Sequence, residues 1–177
     1  MMQHIPDDPE AFCRQHWRPL AQSLAVYTDD VALGQDLAQE ALARVLVRWS
    51  RVRTMRSPGG YAYRIGVNLA RDVLRERQRT RPGGGATGHA EAQDPTTRMS
   101  IDRALAALPP RQRLAMSLRH LADLSVAQTA HAMGCRPGTV KALCHQAAAN
   151  LRTSPQLDWH PASPVRPRDT HEVPIDE

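Results

Sequence analysis

The sequence is short of aromatic residues, cysteine and long apolar runs, and each shortage excludes a class of protein. Seven of the 177 residues are aromatic, which argues against sandwiches and barrels and favours small helical cores. Three cysteines, Cys13, Cys135 and Cys144, fit no disulfide framework, so a reducing compartment is expected. No apolar run approaches the roughly 18 residues of a membrane span, and residues 1–10 do not resemble a secretion signal. These features predict a cytoplasmic protein without membrane insertion.

Positive charge is abundant and unevenly placed. The chain has a formal net charge of +5, and Lys141 is the single lysine among 23 basic residues. Residues 1–43 contain seven acids and two arginines, whereas residues 44–81 contain eleven arginines and two acids. One concentrated basic segment after an acidic one is typical of nucleic-acid-binding proteins.

The basic segment includes a predicted amphipathic helix that begins at Pro58. Ser57 is a good N-cap, and proline is tolerated in the first helical turn. The predicted apolar arc consists of Ala62, Ile65, Leu69, Ala70, Val73 and Leu74. A separate polar row, here called the arginine stripe, consists of Arg64, Asn68, Arg71 and Arg75. Planar guanidinium groups suit phosphates and base edges, so the stripe predicts a nucleic-acid surface.

Two further helices are predicted before it. The first runs from Pro9 to about Tyr27, and after a break at residues 28–30 the second runs to Trp49. The predicted buried residues are Phe12, Trp17, Leu20, Leu24, Tyr27, Leu33, Leu37, Ala41, Leu42, Val45, Leu46 and Trp49. Residues 50–56 are expected to form a basic connector, and residues 1–79 one helical domain.

The composition changes at residues 80–100, where glycine and proline are frequent and helical periodicity is lost, so a flexible linker is predicted. A second domain is predicted over residues 101–153. There Leu114, Leu118 and Leu121 are expected to point inward. A capping box at Ser125–Gln128, a C-terminal Gly134 and a new helix at Pro137 indicate a helix-turn-helix. Residues 154–177 are rich in proline and are expected to be disordered.

A metal or catalytic site is less well supported by the sequence than a nucleic-acid surface. Asp36 and Glu40 lie one helical turn apart, but nothing supplies a third ligand. The set His131, Cys135, Cys144 and His145 suggests zinc. However, Gly134 interrupts the helix between the first two, and two adjacent helical residues point about 100° apart. We therefore expect no cofactor, no metal and no enzyme activity.

Five stretches in the two halves resemble a known family. They are Asp36–Leu42 (DLAQEAL), Tyr61–Asp72 (YAYRIGVNLARD), Leu105–Arg113 (LAALPPRQR), Leu124–Gln128 (LSVAQ) and Gly138–Lys141 (GTVK). Together they resemble bacterial RNA polymerase sigma factors of the extracytoplasmic-function (ECF) group, over residues 10–79 and 101–152. Each motif is weak alone, but five in order are specific.

The resemblance implies an all-α fold of two small domains, with a region 2-like bundle and a region 4-like helix-turn-helix. It implies three partners: core RNA polymerase, promoter DNA and an anti-sigma factor. The residues implied to bind core polymerase are Asp36, Leu37, Gln39 and Glu40. Those implied to contact the minus-ten element are Arg56, Tyr61, Arg64, Asn68, Arg71 and Arg75. Those implied to contact the minus-thirty-five element are Arg136, Thr139, Lys141, Leu143, His145 and Gln146.

The last helix departs from the family pattern, because Leu143, Gln146 and Ala148 replace three usual arginines. Each lost phosphate contact lowers the slope of the salt dependence by about 0.9. Base readout would then depend on Gln146, His145 and contact of Leu143 with thymine methyl groups. Two alternatives stay open: a stand-alone helix-turn-helix regulator, which would dimerise and bind DNA without polymerase, and an interaction adaptor with reduced DNA binding.

Overall fold

The computed structural model describes residues 8–80 and 104–153. All the regular secondary structure in these two ranges is helical, which confirms the predicted all-α class. The helices are α1 (Pro9–Thr28), α2 (Val31–Val47), α3 (Trp49–Val52), α4 (Pro58–Arg79), α5 (Pro110–His120), α6 (Val126–Met133) and α7 (Pro137–Arg152).

Local capping accounts for the bounds of α1 and α2. The Asp8 carboxylate accepts hydrogen bonds from the amides of Glu10 and Ala11, and Asp30 accepts from the Leu33 amide at 3.0 Å. Between the helices Asp29 adopts a left-handed conformation with φ 57°, which aspartate tolerates better than most residues. The predicted break at residues 28–30 is therefore confirmed.

The packing of α1 and α2 follows most of the predicted pattern. Buried residues include Phe12, Leu20, Leu24 and Tyr27 of α1 and Leu37, Ala41, Leu42 and Val45 of α2. Three predictions were wrong: Trp17 is 43% exposed, Leu46 is also exposed, and α2 ends at Val47, before Trp49. Trp49 begins the separate helix α3, where its ring packs 5.1 Å from the ring of Phe12.

Helix α4 begins where predicted, and the predicted Ala62 and Ala70 are buried, but the centre of the buried face is shifted from the predicted arc. Ser57 Oγ accepts a hydrogen bond from the Gly60 amide at 3.3 Å. The fully buried residues are Pro58, Gly60, Ala62, Tyr63, Gly66, Val67 and Ala70, whereas Ile65, Leu69, Val73 and Leu74 are half-buried. A methyl group at Gly66 would lie 3.0 Å from Leu24 and 3.2 Å from Leu20. The small residues of α4 thus bring it close to α1.

The second half contains the predicted helix-turn-helix. Ser125 Oγ accepts from the Gln128 amide at 3.2 Å, and the Gln128 side chain accepts from the Ser125 amide at 2.8 Å, so the capping box is confirmed. Gly134 closes α6 with φ 64°. Leu114 and Leu118 are buried, but Leu121 is exposed, against its predicted inward orientation.

The two halves pack against each other. Helix α1 contacts α5 and α4 contacts α6, and one continuous cluster of buried apolar residues includes members of both halves. The predicted linker lies outside the described residues apart from Thr80, the C-cap of α4, and the predicted tail lies wholly outside them. No helix among the described residues combines the length and apolarity needed to cross a membrane.

Candidate nucleic-acid interface

The arginine stripe lies on α4, on the side away from its buried residues. Tyr63, Val67 and Ala70 anchor the helix at 0–1% exposure. Arg64, Asn68 and Arg75 are exposed, while Arg71 is half-buried. The apolar face therefore fixes the direction in which the stripe points.

The four stripe residues differ in their present partners. Arg71 Nη2 donates to the backbone oxygen of Met133 at 2.6 Å, a contact between the two halves. Arg75 lies 3.8 Å from Asp72, with both side chains about three-quarters exposed. Such an exposed ion pair contributes little to stability. Among the described residues, no hydrogen bond or ion pair engages Arg64.

Tyr61 and Arg56 lie close in sequence to the start of α4. Tyr61 is half-buried and packs against the hydrophobic core, with its hydroxyl 3.5 Å from Arg48 Nη1. Arg56 is exposed just before the N-cap. Of these two residues, Tyr61 carries the aromatic ring and is therefore the one suited to stacking on a base.

A second polar surface lies on α2. Asp36, Gln39 and Glu40 are exposed, but Leu37 is 7% exposed, so its side chain supports the helix from the core. Glu40 pairs with Arg44 at 2.7 Å. At 100° per residue Val47 projects within about 20° of Asp36, and it is 86% exposed.

Val47 was not among the predicted site residues. Its spacing in the sequence from Asp36, Glu40 and Ala43 could have identified it, because this spacing places an aliphatic residue on the polar side of α2. An isolated exposed valine is ordinary, but here it extends a defined polar face, called the α2 face below: Asp36, Gln39, Glu40 and Val47.

The predicted upstream-reading residues occupy the first three turns of α7 and its N-cap. Arg136, Lys141, His145 and Gln146 are exposed and Thr139 is half-buried. Leu143 is half-buried and packs against the core, which leaves only part of its side chain for contact with thymine. Gln112 of α5 lies 3.5 Å from Gln146 and accepts from Asn150 at 2.8 Å.

The residues considered for zinc are not gathered into a site. In the part of the chain that the structure describes, no group of three or more His, Cys, Asp or Glu side chains is placed to hold a metal ion. Burial raises the pKa of the Cys144 thiol, which works against thiolate ligation.

Known protein families match both halves of the chain. The family model for sigma-70 region 2 matches residues 13–80, and that for sigma-70 region 4 matches residues 98–151. The RNA polymerase sigma-E factor of Streptomyces coelicolor is 32% identical over 81% of this chain and 83% of its own length. The ECF RNA polymerase sigma factor SigF of Caulobacter vibrioides is 31% identical over 66% of this chain and 68% of its own length.

The chain belongs to the ECF group of RNA polymerase sigma factors. A solved structure with the same fold is the sigma factor RpoE of Bartonella quintana, in complex with the anti-sigma factor NepR. It has a TM-score of 0.62 and 19% identity over 75% of this chain and 87% of that one. In this sigma factor, region 2 comprises α1–α4 and so contains both the α2 face and the arginine stripe. Region 4 contains the helix-turn-helix.

Proposed function

We propose that this sigma factor binds core RNA polymerase through the α2 face and opens promoter DNA with the arginine stripe of α4. The observation that supports the assignment is that the two surfaces lie on different helices of one bundle. Acids and an exposed valine lie on α2, while Arg64, Asn68 and Arg75 are exposed on α4. One surface can therefore hold polymerase while the other contacts DNA.

The chemistry of the stripe suits the separated strand of the minus-ten element. Arginine side chains can donate to phosphates and base edges, and Asn68 can both donate and accept. Stacking of one base on Tyr61 is worth about 1–3 kcal/mol, similar to the cost of unstacking a base. Melting therefore depends on several contacts together, with Arg56 at the start of α4 as a further phosphate contact.

Helix α7 is proposed to contact the minus-thirty-five element. It does so with fewer cationic side chains than the family pattern. Arg136 and Lys141 are the exposed cations near its N-terminus, and Thr139, His145 and Gln146 offer hydrogen bonds. Leu143 contributes at most the open edge of its side chain. Because Gln146 Oε1 accepts from Gln112, Gln146 Nε2 is the atom left to donate to base acceptors such as guanine N7 or O6.

The protein is proposed to act in the cytoplasm as an initiation factor without catalysis of its own. The solved relative in complex with an anti-sigma factor supports a partner of that class for this chain as well. That partner would have to cover the α2 face, the arginine stripe or α7 to inhibit transcription.

Reconstitution with core polymerase tests the proposal. The full chain and core enzyme should produce specific run-off transcripts from genomic promoter fragments, including the fragment upstream of its own gene. No specific transcript would contradict the function. Tight binding to duplex DNA without polymerase would favour the stand-alone regulator instead.

The polymerase-binding surface is tested by charge reversal at Asp36. Asp36→Arg should weaken co-purification with core enzyme without changing the helical circular dichroism. Glu10→Arg is the matched control, because it makes the same charge change on the exposed side of α1. It removes a surface ion pair and the acid in the first turn of that helix, so its circular dichroism is compared as well. Equal polymerase binding by both variants would reject the α2 face.

A further inference from the structure

A cavity of about 160 Å³ lies where α1, the first turns of α4 and the start of α6 meet. Region 2 supplies His16 and Gly59 to its wall, and region 4 supplies Leu124 and Gln128. Gln15 also lines the cavity and is exposed, so the cavity opens to solvent at that edge. Engineered protein cavities of about 150 Å³ bind benzene. This cavity therefore has room for a ligand of similar size.

The N-terminus of α4 brings a backbone donor to the cavity. Ser57 accepts from the Gly60 amide through its hydroxyl at 3.3 Å and from the Tyr61 amide through its carbonyl at 3.0 Å. No hydrogen bond among the described residues engages the amide of Gly59. The His16 ring lies against Gly59, where a methyl group would be 2.7 Å from His16 Cε1. Free N–H groups at a helix N-terminus attract anions.

The Tyr63 hydroxyl is a second donor at the same cavity. Tyr63 is 1% exposed, and its hydroxyl makes no hydrogen bond within the described part of the chain. The hydroxyl is not sealed off, because the buried side-chain atoms there that lack both a partner and solvent contact are Arg113 Nε and Thr129 Oγ1. It therefore faces the cavity that Tyr63 lines. A ligand oxygen would satisfy this buried donor.

The rest of the wall combines neutral polar groups with an apolar side. None of the described residues that line the cavity is acidic, and Asp123 is exposed outside it. Burial lowers the pKa of His16, so its ring is neutral near pH 7 and offers one N–H. Pro19, Ala122 and Leu124 form the apolar side. The wall thus suits a small molecule with one negative group and an apolar part.

We propose that this cavity binds a small monocarboxylate at the N-terminus of α4. The carboxylate accepts hydrogen bonds from the Gly59 amide and the Tyr63 hydroxyl, and the apolar part of the ligand contacts Leu124. The site uses no residue of the α2 face, the arginine stripe or α7. It is therefore a binding function separate from those proposed for polymerase and promoter DNA.

NMR titration of the isotope-labelled full chain with sodium benzoate tests the proposal. At constant ionic strength the amide signals of Gly59 and Gly60 should shift and saturate, with a Kd on the order of 1 mM for a ligand of this size. Benzyl alcohol, which lacks the charge, and inorganic phosphate, which lacks the apolar part, should each bind at least about tenfold more weakly. Equal affinity for either compound, or benzoate shifts confined to the arginine-rich surfaces, overturns the proposal.

Two variants test the assigned contacts. Tyr63→Phe removes only the hydroxyl and should weaken benzoate binding about tenfold. Tyr27→Phe is the matched control, because it removes the hydroxyl of another buried tyrosine that does not line the cavity, and it should match the wild type. Ala122→Met fills the cavity and should abolish the shifts at Gly59 and Gly60.

Ala122 is half-buried just after α5, so Ala122→Met remains informative if Tyr63→Phe lowers the helical circular dichroism. Benzoate binding that is unchanged in Tyr63→Phe or in Ala122→Met overturns the proposal.

Discussion

At the scale of single residues, Arg64 is the most direct test of the arginine stripe, because it is exposed and unpaired among the described residues. Arg64→Ala should reduce open-complex formation about five- to tenfold, equivalent to about 1–1.4 kcal/mol. It should also lower the salt slope of single-strand binding by about 0.7. Permanganate footprinting and salt titration measure the two effects.

Arg77→Ala is the control for Arg64→Ala. Arg77 lies on the same helix but projects about 140° away from Arg64, and its side chain pairs with Asp30 at 3.2 Å. Equal loss in both variants would mean that total charge, and not the position of the stripe, determines strand binding.

His16 links a single residue to the pH dependence of stability. Its ring lies 4.4 Å from the ring of Phe12 and 6.2 Å from that of Tyr63, and burial lowers its pKa below the ordinary 6.5. The unfolded chain therefore binds this proton more readily than the folded chain. Stability is retained above pH 6.5 and falls as the pH decreases below it.

Urea unfolding between pH 7.5 and 5 should show this decrease in the wild type, and His16→Gln should show a smaller one. The comparison uses the slope with pH, because the substitution also alters ring packing. An identical slope in the two proteins would show that His16 does not cause the loss of stability at low pH.

At the scale of elements, the capping box fixes the start of α6, the helix that contacts the arginine stripe helix. Ser125→Ala removes the side-chain acceptor for the Gln128 amide and should lower the free energy of unfolding by about 1 kcal/mol. Ser125→Asp retains an acceptor and should remain near wild type. Denaturant unfolding measures both, and equal losses would show that the cap contributes no stability.

The α2 face makes a second prediction at this scale. Val47→Asp should weaken core-polymerase binding at least about tenfold, because burying a valine in a partner is worth about 1.5–3 kcal/mol and a carboxylate opposes burial. Val31→Asp is the matched control, since Val31 is also exposed on α2 but projects about 160° away. Titration of labelled polymerase compares the two variants. Equal affinities would show that Val47 is not part of the polymerase-binding surface.

Helix existence and bounds were largely predictable because caps are local: Ser57, Ser125, Gly134 and Pro137 act on neighbouring amides and carbonyls. The buried face of α4 was less predictable. Large apolar side chains suggested Ile65 and Leu69 as its centre, yet small residues such as Gly66 and Ala70 permit the closest approach.

The contact of Arg71 with Met133 was not predictable either. It depends on which surfaces meet in three dimensions, and no helical period in either half encodes that choice. The residues of the stripe could be identified by spacing, whereas their present partners could not.

At the scale of the whole molecule, the continuous apolar core predicts that regions 2 and 4 unfold together. Buried residues from α1, α4, α5 and α6 share one cluster, so loss of one region exposes apolar surface of the other. Scanning calorimetry of the wild type should therefore give one transition, with equal calorimetric and van't Hoff enthalpies.

Ser23→Glu places a charge at the buried contact of α1 with α5 and should divide that transition into two, because each separated region then melts with its own midpoint. Gln22→Glu adds the same charge at the neighbouring exposed position and should retain one transition. Two transitions in the wild type would show that the shared core does not couple the regions, even where they are in contact. A single transition in Ser23→Glu would show that the regions are coupled elsewhere than at the contact of α1 with α5.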